Sequence, residues 1–342
     1  MEKALNINLD RTHDQSTASP DSAGCLSPRP VETIPQTVYE TAARHLRAQL
    51  NGRQPSVALL CGRGLQGVSE KLEGPTIEIP YVEIPGFAIS TSLRASPGRL
   101  VFGEIGGTHV VCIVGRCHFY EGFSMKQLAF PVRVLALLGV RTLLVTTAVS
   151  GLADGLDLGD IVVVKDHISL PTLCGLNPLV GPNFEKLGPR LPSMYNAYTF
   201  ALRKLAFTVF LSSAELQKKH IRMREAVFCY TTGPASETRA ECMALRSLGA
   251  DVVGSSTVPE VVAAHHAGLG VLCLGLVTSV AAKGAEPDAE LAARAALEGG
   301  SKQSMREPPM EDDIVARSAS VKKGGQRPAD LNFLVRAIVE RL

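Results

Sequence analysis

The sequence lacks the long apolar segments that membrane insertion requires. No run of about 18 or more residues is free of charged and turn residues. The first residues, MEKALNINLDRTHDQ, contain no apolar core of a secretory signal. We therefore expect a cytoplasmic protein with no membrane partner.

The chain also lacks a metal-ligand motif and a strong excess of either charge. Its eight cysteines never occur as CxxC pairs, and its eight histidines do not gather with them into a ligand pattern. Most cysteines lie inside apolar runs, which indicates buried, reduced thiols. The chain has 35 basic and 33 acidic residues, and this balance argues against nucleic-acid or membrane binding driven by charge alone.

What the sequence does contain is a repeated alternation of apolar runs and helical stretches. Strand-like runs are predicted at residues 56–61, 99–105, 109–114, 142–147, 160–165, 226–231, 250–254 and 270–278. Helical stretches lie between several of them, for example at 124–138 and 238–247. This alternation is typical of a sheet that helices cover on both faces. We predict a single α/β domain with a mixed, largely parallel, twisted sheet.

Composition divides the chain into four segments. Residues 1–33 are polar, which predicts a disordered tail, and the α/β domain is predicted to cover residues 34–298. Residues 299–328 are poor in apolar residues and are interpreted as a low-complexity insertion that is either disordered or functional. Residues 329–342 are predicted to form a final amphipathic helix of the same domain.

Two stretches that follow predicted strands contain side chains suited to an anion. Ligands of α/β sheets bind at the carboxyl ends of strands. Gly62-Arg63-Gly64 is a glycine turn of the kind whose backbone N–H groups surround an anion. In GRCHFYEG, residues 115–122, Arg116 and His118 stand two residues apart and can clamp one anion. The alternative for this second stretch is a solvated loop.

Three further stretches allow both a structural and a functional interpretation. The small residues of TTAVSG, 146–151, permit close approach of a ligand or simple packing. The hydroxyls of GSSTVPE, 254–260, begin a helix, where they bind an anion or cap the helix. Glu237 either complements a helix dipole or accepts hydrogen bonds from a ligand. The pair His265-His266 is interpreted as structural or exposed.

Six motifs occur in a fixed order within about residues 36–280: GRCHFYEG, FPVRVLALLGV, VTTAVSGL, GDIVVVKDHI, LPTLCGLNPLVGPN and ECMALRSLGADVVGSSTVPEVVAAHHAGL. Together they resemble the trimeric purine nucleoside phosphorylases. The resemblance implies a homotrimer of single-domain α/β subunits. It also implies phosphorolysis of purine ribonucleosides and 2′-deoxyribonucleosides in purine salvage. Inorganic phosphate is then the co-substrate, and neither a metal nor an organic cofactor takes part.

The resemblance also implies roles for individual residues. The implied phosphate ligands are Arg116, His118, the backbone N–H of Ala148 and the hydroxyl of Ser256. The implied nucleoside contacts are Tyr120 beside the ribose, Glu237 at the purine N1–H, and Val253 and Thr278 at the base pocket. The implied catalytic positions are His118, Glu237 and Ser279.

The chain departs from the family pattern around the implied site. Arg63 stands where the family has a phosphate-binding serine, and Ser96 stands nearest to a phosphate-side histidine. On the nucleoside side, an asparagine, a phenylalanine and a methionine of the family are replaced by Ser279, Ser236 and Ser255, respectively. In the segment after Ser279, the chain has no histidine where the family uses one to bind the ribose 5′-hydroxyl.

These departures leave Arg63 with two possible roles. A guanidinium in place of a serine overlaps the volume for phosphate, and two guanidiniums near one cavity repel each other. We expect Arg63 to point into the anion pocket beside Arg116 and obstruct it, paired with Glu121 or Glu260. The alternative is a second bidentate phosphate contact.

Three hypotheses about function therefore remain at the level of sequence. The first is a phosphorylase with weakened or altered specificity. The second is an inactive paralogue that keeps the trimer for binding or scaffolding. The third is phosphorolysis of a different nucleoside.

Overall fold

The computed structural model describes residues 33–62, 66–91, 98–281, 288–297 and 327–342. The strands are β1 Val57–Leu60, β2 Glu73–Pro80, β3 Arg99–Ile105, β4 Thr108–Val114, β5 Thr142–Gly151, β6 Ile161–Ser169, β7 Met223–Tyr230, β8 Val252–Gly254 and β9 Gly270–Val280. The helices are α1 Gln36–Gln49, α2 Met125–Leu138, α3 Leu170–Leu173, α4 Phe200–Ser212, α5 Ala214–Lys218, α6 Arg239–Ser247, α7 Val258–His266, α8 Ala289–Leu297 and α9 Arg327–Val339. Short 3-10 helices occupy Gln66–Lys71, Tyr81–Glu83, Phe119–Glu121 and Glu185–Leu187.

The strands form one mixed sheet in the order β2-β3-β4-β1-β5-β8-β7-β6-β9. Strand β1 runs parallel to β4 and β5, and β7 runs parallel to β6 and β8. The outer strands β2, β3 and β4 are antiparallel, and the Gly106-Gly107 turn joins β3 to β4 with both glycines at positive φ. Strand β5 also pairs with β9, so five strands close into a ring. The predicted mixed sheet is confirmed.

Two apolar cores lie on opposite faces of the sheet. In β1, Ala58 and Leu60 belong to the core that α1, α2 and α7 cover. The alternate residues Val57 and Leu59 belong to the core that α4 and α9 cover. Because side chains alternate along a strand, one buried strand feeds both cores. The predicted helices on both faces are confirmed.

Two elements that the apolar patterns did not indicate are β2 and α4. Strand β2 is an edge strand with prolines at Pro75 and Pro80 and mostly exposed side chains, so it lacks the pattern of a buried strand. Helix α4 exposes Phe200 and Leu211, so its apolar residues do not mark one face. In both elements, tertiary contacts rather than local pattern fix the structure.

The final helix begins two residues before its predicted start. Leu331, Leu334 and Ile338 are fully buried, as their spacing indicates, whereas Leu342 lies beyond the helix end and is 47% exposed. The predicted tail and insertion lie almost entirely outside the described residues. None of the helices in the described ranges is long and apolar enough to cross a membrane.

Candidate active site

The loops after β4 and β8 meet at one edge of the sheet. Arg116 follows β4, and its side chain reaches Ser256 and Thr257, which follow β8. Ser256 also lies 3.4 Å, between hydroxyl oxygens, from Thr147 of β5. The next residue, Ala148, is exposed within that strand. Of the four phosphate ligands that the resemblance implies, three are thus close neighbours: Arg116, Ala148 and Ser256.

Arg116 is buried and bound on all three guanidinium nitrogens. Its Nε donates to Oε1 of Glu260 at 2.9 Å. One terminal nitrogen donates to the Ser256 hydroxyl and the other to the Thr257 hydroxyl, each at 3.2 Å. Both partners of the Arg116–Glu260 ion pair are nearly inaccessible, with side-chain exposures of 7% and 5%. Such burial of a charge is stable only when hydrogen bonds satisfy it.

Thr257 has a backbone conformation that is costly for a β-branched residue. Its φ is +84°, its side chain is completely buried, and it directly precedes α7. A strained non-glycine residue of this kind costs on the order of 1–3 kcal/mol and persists only where its surroundings fix it. In this conformation the hydroxyl of Thr257 lies against Arg116.

His118 is oriented by a carboxylate and an aromatic ring. Its Nδ1 lies 3.1 Å from Oε1 of Glu121, and its ring stacks on Tyr120 with a centroid distance of 4.8 Å. Burial of the imidazole, together with the positive charge of Arg116, lowers the pKa of His118 from its ordinary value. Since a carboxylate only accepts, Nδ1 donates to Glu121, and Nε2 of the neutral ring is left as an acceptor.

Glu121 and Glu260, the expected partners of Arg63, each accept hydrogen bonds from described residues. The second carboxylate oxygen of Glu121 accepts hydrogen bonds from Ser90 at 2.7 Å and from the backbone N–H of Thr91 at 2.9 Å. Glu260 is paired with Arg116 as described above. Arg63 and Ser96 lie outside the described residues, and the prediction that Arg63 obstructs the pocket stays a prediction.

The loop after β7 approaches the same edge from the other side. Glu237 is half-buried, and its Oε1 accepts a hydrogen bond from Thr231 at 2.8 Å. Gly233 fits between Tyr120 and Ser255, since a Cβ at Gly233 would lie 3.2 Å and 3.3 Å from their side chains. The loop that carries Glu237 therefore packs against residues next to the anion ligands.

Hydroxyl groups occupy the ends of β5 and β9. Ser279 and Ser150 are register partners, and their hydroxyl oxygens lie 2.7 Å apart. Thr278 donates to the carbonyl of Val149 at 3.4 Å, and Val253 of β8 is the register partner of Ser150 on its other side. The neighbouring Ser236 is half-buried in the loop before α6.

Metal ligation finds no support among these side chains. Within the described ranges, no three His, Cys, Asp or Glu side chains gather closely enough to hold a metal ion. The seven cysteines of those ranges are free thiols, and burial with the charges of Glu121 and Glu260 raises the pKa of Cys117 to about 12. At neutral pH Cys117 is thus a protonated thiol and a weak ligand.

Comparison with known proteins decides the family. The model of the Phosphorylase superfamily matches residues 56–304. The purine nucleoside phosphorylase of Rattus norvegicus is 45% identical over 241 residues, which are 70% of this chain and 81% of that protein. The chain belongs to the purine nucleoside phosphorylases of this superfamily.

Two further relatives extend the similarity over more of the chain. The purine nucleoside phosphorylase of Bos taurus is 40% identical over 288 residues, which cover 84% of this chain and 96% of that protein. The crystal structure of Schistosoma mansoni purine nucleoside phosphorylase in complex with inosine superposes with a TM-score of 0.76 at 35% identity. The superposition covers 90% of this chain and 97% of the Schistosoma mansoni chain.

Sequence reasoning grouped Thr257 with the other hydroxyls of GSSTVPE as an anion ligand or a helix cap. It considered Glu260 and Glu121 as partners of Arg63. A signal for Glu260 was available. It is a carboxylate in the otherwise apolar stretch VPEVVAA of α7, and a charge on a buried helix face requires a partner. No local pattern identifies that partner, because Arg116 lies 144 positions away.

Proposed function

We propose that this protein catalyses phosphorolysis of purine ribonucleosides and 2′-deoxyribonucleosides, releasing the free base and (deoxy)ribose 1-phosphate. The proposed role is purine salvage in the cytoplasm. One observation carries the proposal: a buried arginine meets two hydroxyl side chains at the carboxyl edge of the sheet. This constellation occurs in a chain whose relatives are purine nucleoside phosphorylases, one of them solved with inosine.

The proposed phosphate site consists of Arg116, His118, the N–H of Ala148 and the hydroxyl of Ser256. Arg116 supplies positive charge in a water-poor environment, where it stabilises an anion far better than in water. Neutral His118, with its Nδ1–H bound to Glu121, can accept a proton from phosphate through Nε2. Arg63 and Ser96 are proposed to complete the site, with Arg63 lowering the affinity for phosphate.

The proposed nucleoside site lies across the same edge. Tyr120 contacts the ribose and Glu237 accepts a hydrogen bond from a purine N–H. The base pocket is completed by Ser236, Ser255, Thr278 and Ser279. As the glycosidic C1′–N bond breaks, a phosphate oxygen bonds to C1′, and the departing purine takes up the proton that the phosphate gives up. Holding both reactants in line supplies a large part of the rate acceleration.

The reaction as proposed needs phosphate as co-substrate and no metal or organic cofactor. We propose that residues 34–298 and 329–342 form the one catalytic domain, with 1–33 as a tail and 299–328 as an insertion. The burial of α9 against the core that also contains α4 supports the assignment of the last segment to this domain.

We expect phosphorolysis of inosine and guanosine to be slow. A serine at position 236, in place of an aromatic ring, removes roughly 1.5–3 kcal/mol of apolar burial against a base. Ser279 is bound to Ser150, and a hydroxyl is too short to make a bidentate amide-type contact. We therefore expect a turnover number well below about 10 per second, the median of enzymes.

The measurement is release of hypoxanthine or guanine from the purified full chain in saturating phosphate. Omission of phosphate is the control, since phosphorolysis stops without it and simple hydrolysis does not. A rate at or above the enzyme median would show that the replaced residues are compensated. Absence of turnover with any purine nucleoside would overturn the proposed function in favour of a binding or scaffold protein.

We also propose a homotrimer as the assembly. The segment from the last residue of α3 to the start of α4 exposes five large apolar side chains in the isolated chain: Leu173, Leu176, Val180, Leu191 and Tyr195. Large apolar groups that stand together on a surface indicate a protein interface. Leu173 is 78% exposed.

Substitution of Leu173 by glutamate is expected to shift the trimer to smaller species at micromolar concentration, as measured by sedimentation velocity. A charge buried at an interface without a partner costs several kcal/mol. Leu158→Glu, at an exposed leucine outside this segment, is the matched control and should leave the assembly intact. A native chain that sediments as a stable monomer would refute the trimer.

A further inference from the structure

We infer that Glu260 is a positioning residue for the phosphate site, which holds the guanidinium of Arg116 in the orientation required to bind an anion. The inference rests on the proposed function, because it takes Arg116 as a phosphate ligand. Glu260 itself is not proposed to touch phosphate. It acts through Arg116, to whose Nε it is bound at 2.9 Å.

The hydrogen bonds of Arg116 leave a usable pair of donors. A guanidinium has five N–H groups in a rigid plane, one on Nε and two on each terminal nitrogen. Glu260, Ser256 and Thr257 each accept one hydrogen bond from a different nitrogen. One N–H on each terminal nitrogen is not engaged in these bonds, and such a pair is what bidentate binding of an oxyanion requires.

Packing alone does not fix this orientation. A cavity lies against the Arg116–Glu260 pair, between the sheet and α2, with Tyr81, Cys117 and Gln127 among its lining residues. The cavity is about the size of one water molecule, and together with the volume that a smaller side chain at position 260 would leave, it gives the guanidinium room to tilt. We expect Arg116 to use that space when the bond from Nε to Glu260 is lost.

The backbone at Glu260, by contrast, is held firmly. It is the third residue of α7, it is 4% exposed, and the fully buried Thr257 directly precedes the helix. On the other side of the pair, the Tyr81 hydroxyl donates to the carbonyl of Gly115 at 2.9 Å and fixes the backbone next to Arg116. The backbone on both sides of the pair is thus fixed, and the carboxylate itself is bound through Oε1 to Arg116, while its Oε2 is buried without a hydrogen-bond partner among the described residues.

Orientation and charge predict opposite effects of removing Glu260. Its negative charge repels an anion bound to Arg116, so charge alone predicts tighter phosphate binding when Glu260 is replaced. Loss of orientation predicts weaker binding. The sign of the measured change therefore separates a positioning role from a purely electrostatic one.

The experiment is calorimetric titration of inorganic phosphate into the full chain and its variants. Glu260→Ala should raise the dissociation constant about tenfold or more, the scale of one lost charge-assisted contact. Glu260→Gln keeps an oxygen that accepts from Nε and should stay within about threefold of the native value. Unchanged or tighter binding in Glu260→Ala would overturn the inference, as would equal losses in both variants.

A second Arg–carboxylate pair, in which the carboxylate is buried and the arginine is 48% exposed, provides the control. Asp160, just before β6, accepts from Nε and a terminal nitrogen of Arg222 at 3.1 Å and 2.9 Å. Asp160→Asn should lower stability and leave phosphate binding unchanged, and a comparable loss of affinity there would overturn the inference. If Glu260→Ala does not fold, Glu260→Asp replaces it, because its carboxylate, one methylene shorter, withdraws from Nε.

Nucleoside turnover, measured in parallel, separates the two proposals. A native chain that binds phosphate and splits no nucleoside refutes the proposed function, while the affinity series still decides the role of Glu260. A native chain that binds no phosphate refutes both. In an active chain, Glu260→Ala should raise KM for phosphate more than it lowers kcat, a split that a merely structural role does not produce.

Discussion

Replacing Arg116 with alanine is expected to lower kcat/KM for phosphate by about a hundred- to a thousandfold, the usual effect of losing one preorganised donor. Arg116 is the buried cation at the edge where the reacting anion is proposed to bind, and its side chain is only 7% exposed. Water cannot take its place without opening the site. The measurement is steady-state phosphorolysis of inosine over a range of phosphate concentrations.

The same change leaves Glu260 buried and unpaired, which costs on the order of 3–5 kcal/mol of stability. The double variant Arg116→Ala with Glu260→Gln removes that unpaired charge and should fold better with no recovery of activity. Arg222→Ala is the matched control, because it breaks an Arg–Asp pair just before β6. It should keep the native rate. Activity of Arg116→Ala within tenfold of native would mean that phosphate is bound elsewhere.

Replacing Glu237 with alanine is expected to abolish measurable binding of hypoxanthine or guanine. Of the base-side residues, Glu237 is the one that carries a charge, and a hydrogen bond to a charged group contributes about 1.5–3 kcal/mol. Loss of this hydrogen bond corresponds to a dissociation constant for the base that is roughly 10- to 150-fold larger. If the native site already binds the base weakly, binding to the variant falls below what calorimetry detects. Calorimetric titration of the base is the measurement we propose.

Glu241→Gln is the matched control for this prediction. Glu241 lies four positions further on, in the first turn of α6, where its carboxylate accepts from the backbone N–H of Thr238 at 2.6 Å. Glutamine keeps that capping interaction and removes a negative charge four positions from Glu237. It should bind the base like the native chain. Unchanged affinity in Glu237→Ala would place the base in another part of the molecule.

The strands and helices of the cores follow from local patterns. The run RLVFGEI predicts β3 at its observed bounds. A run of this kind predicts a strand because alternating side chains of a strand pack into the cores on opposite faces of the sheet. Helix α2 is predicted from Ser124 onward, and Ser124 caps it with Gln127 three residues later. Elements with little burial, such as β2, escape this reasoning because their side chains face solvent.

The candidate site was predicted in part for a different reason. Arg116 and His118 stand out as two anion ligands on one short loop, and the family motifs assign them a role that spacing alone does not. The stretch GSSTVPE indicated the hydroxyl of Thr257 at a helix start, but its positive φ and its bond to Arg116 depend on α7 and the loop before it. Arg63 and Ser96, outside the described ranges, remain predictions from sequence.

The sequence by itself determined the buried strands and most of the helices, the alternation that buries both faces of the sheet, and the residue types available at the strand ends. These depend on periodicity and composition, which act over a few residues. Only the tertiary structure decided that β5 pairs with β9 to close the ring, and that Glu260 binds Arg116 across 144 positions. Such contacts depend on how the helices pack onto the sheet, and the buried charge of Arg116 is satisfied only when that packing brings α7 to the end of β4.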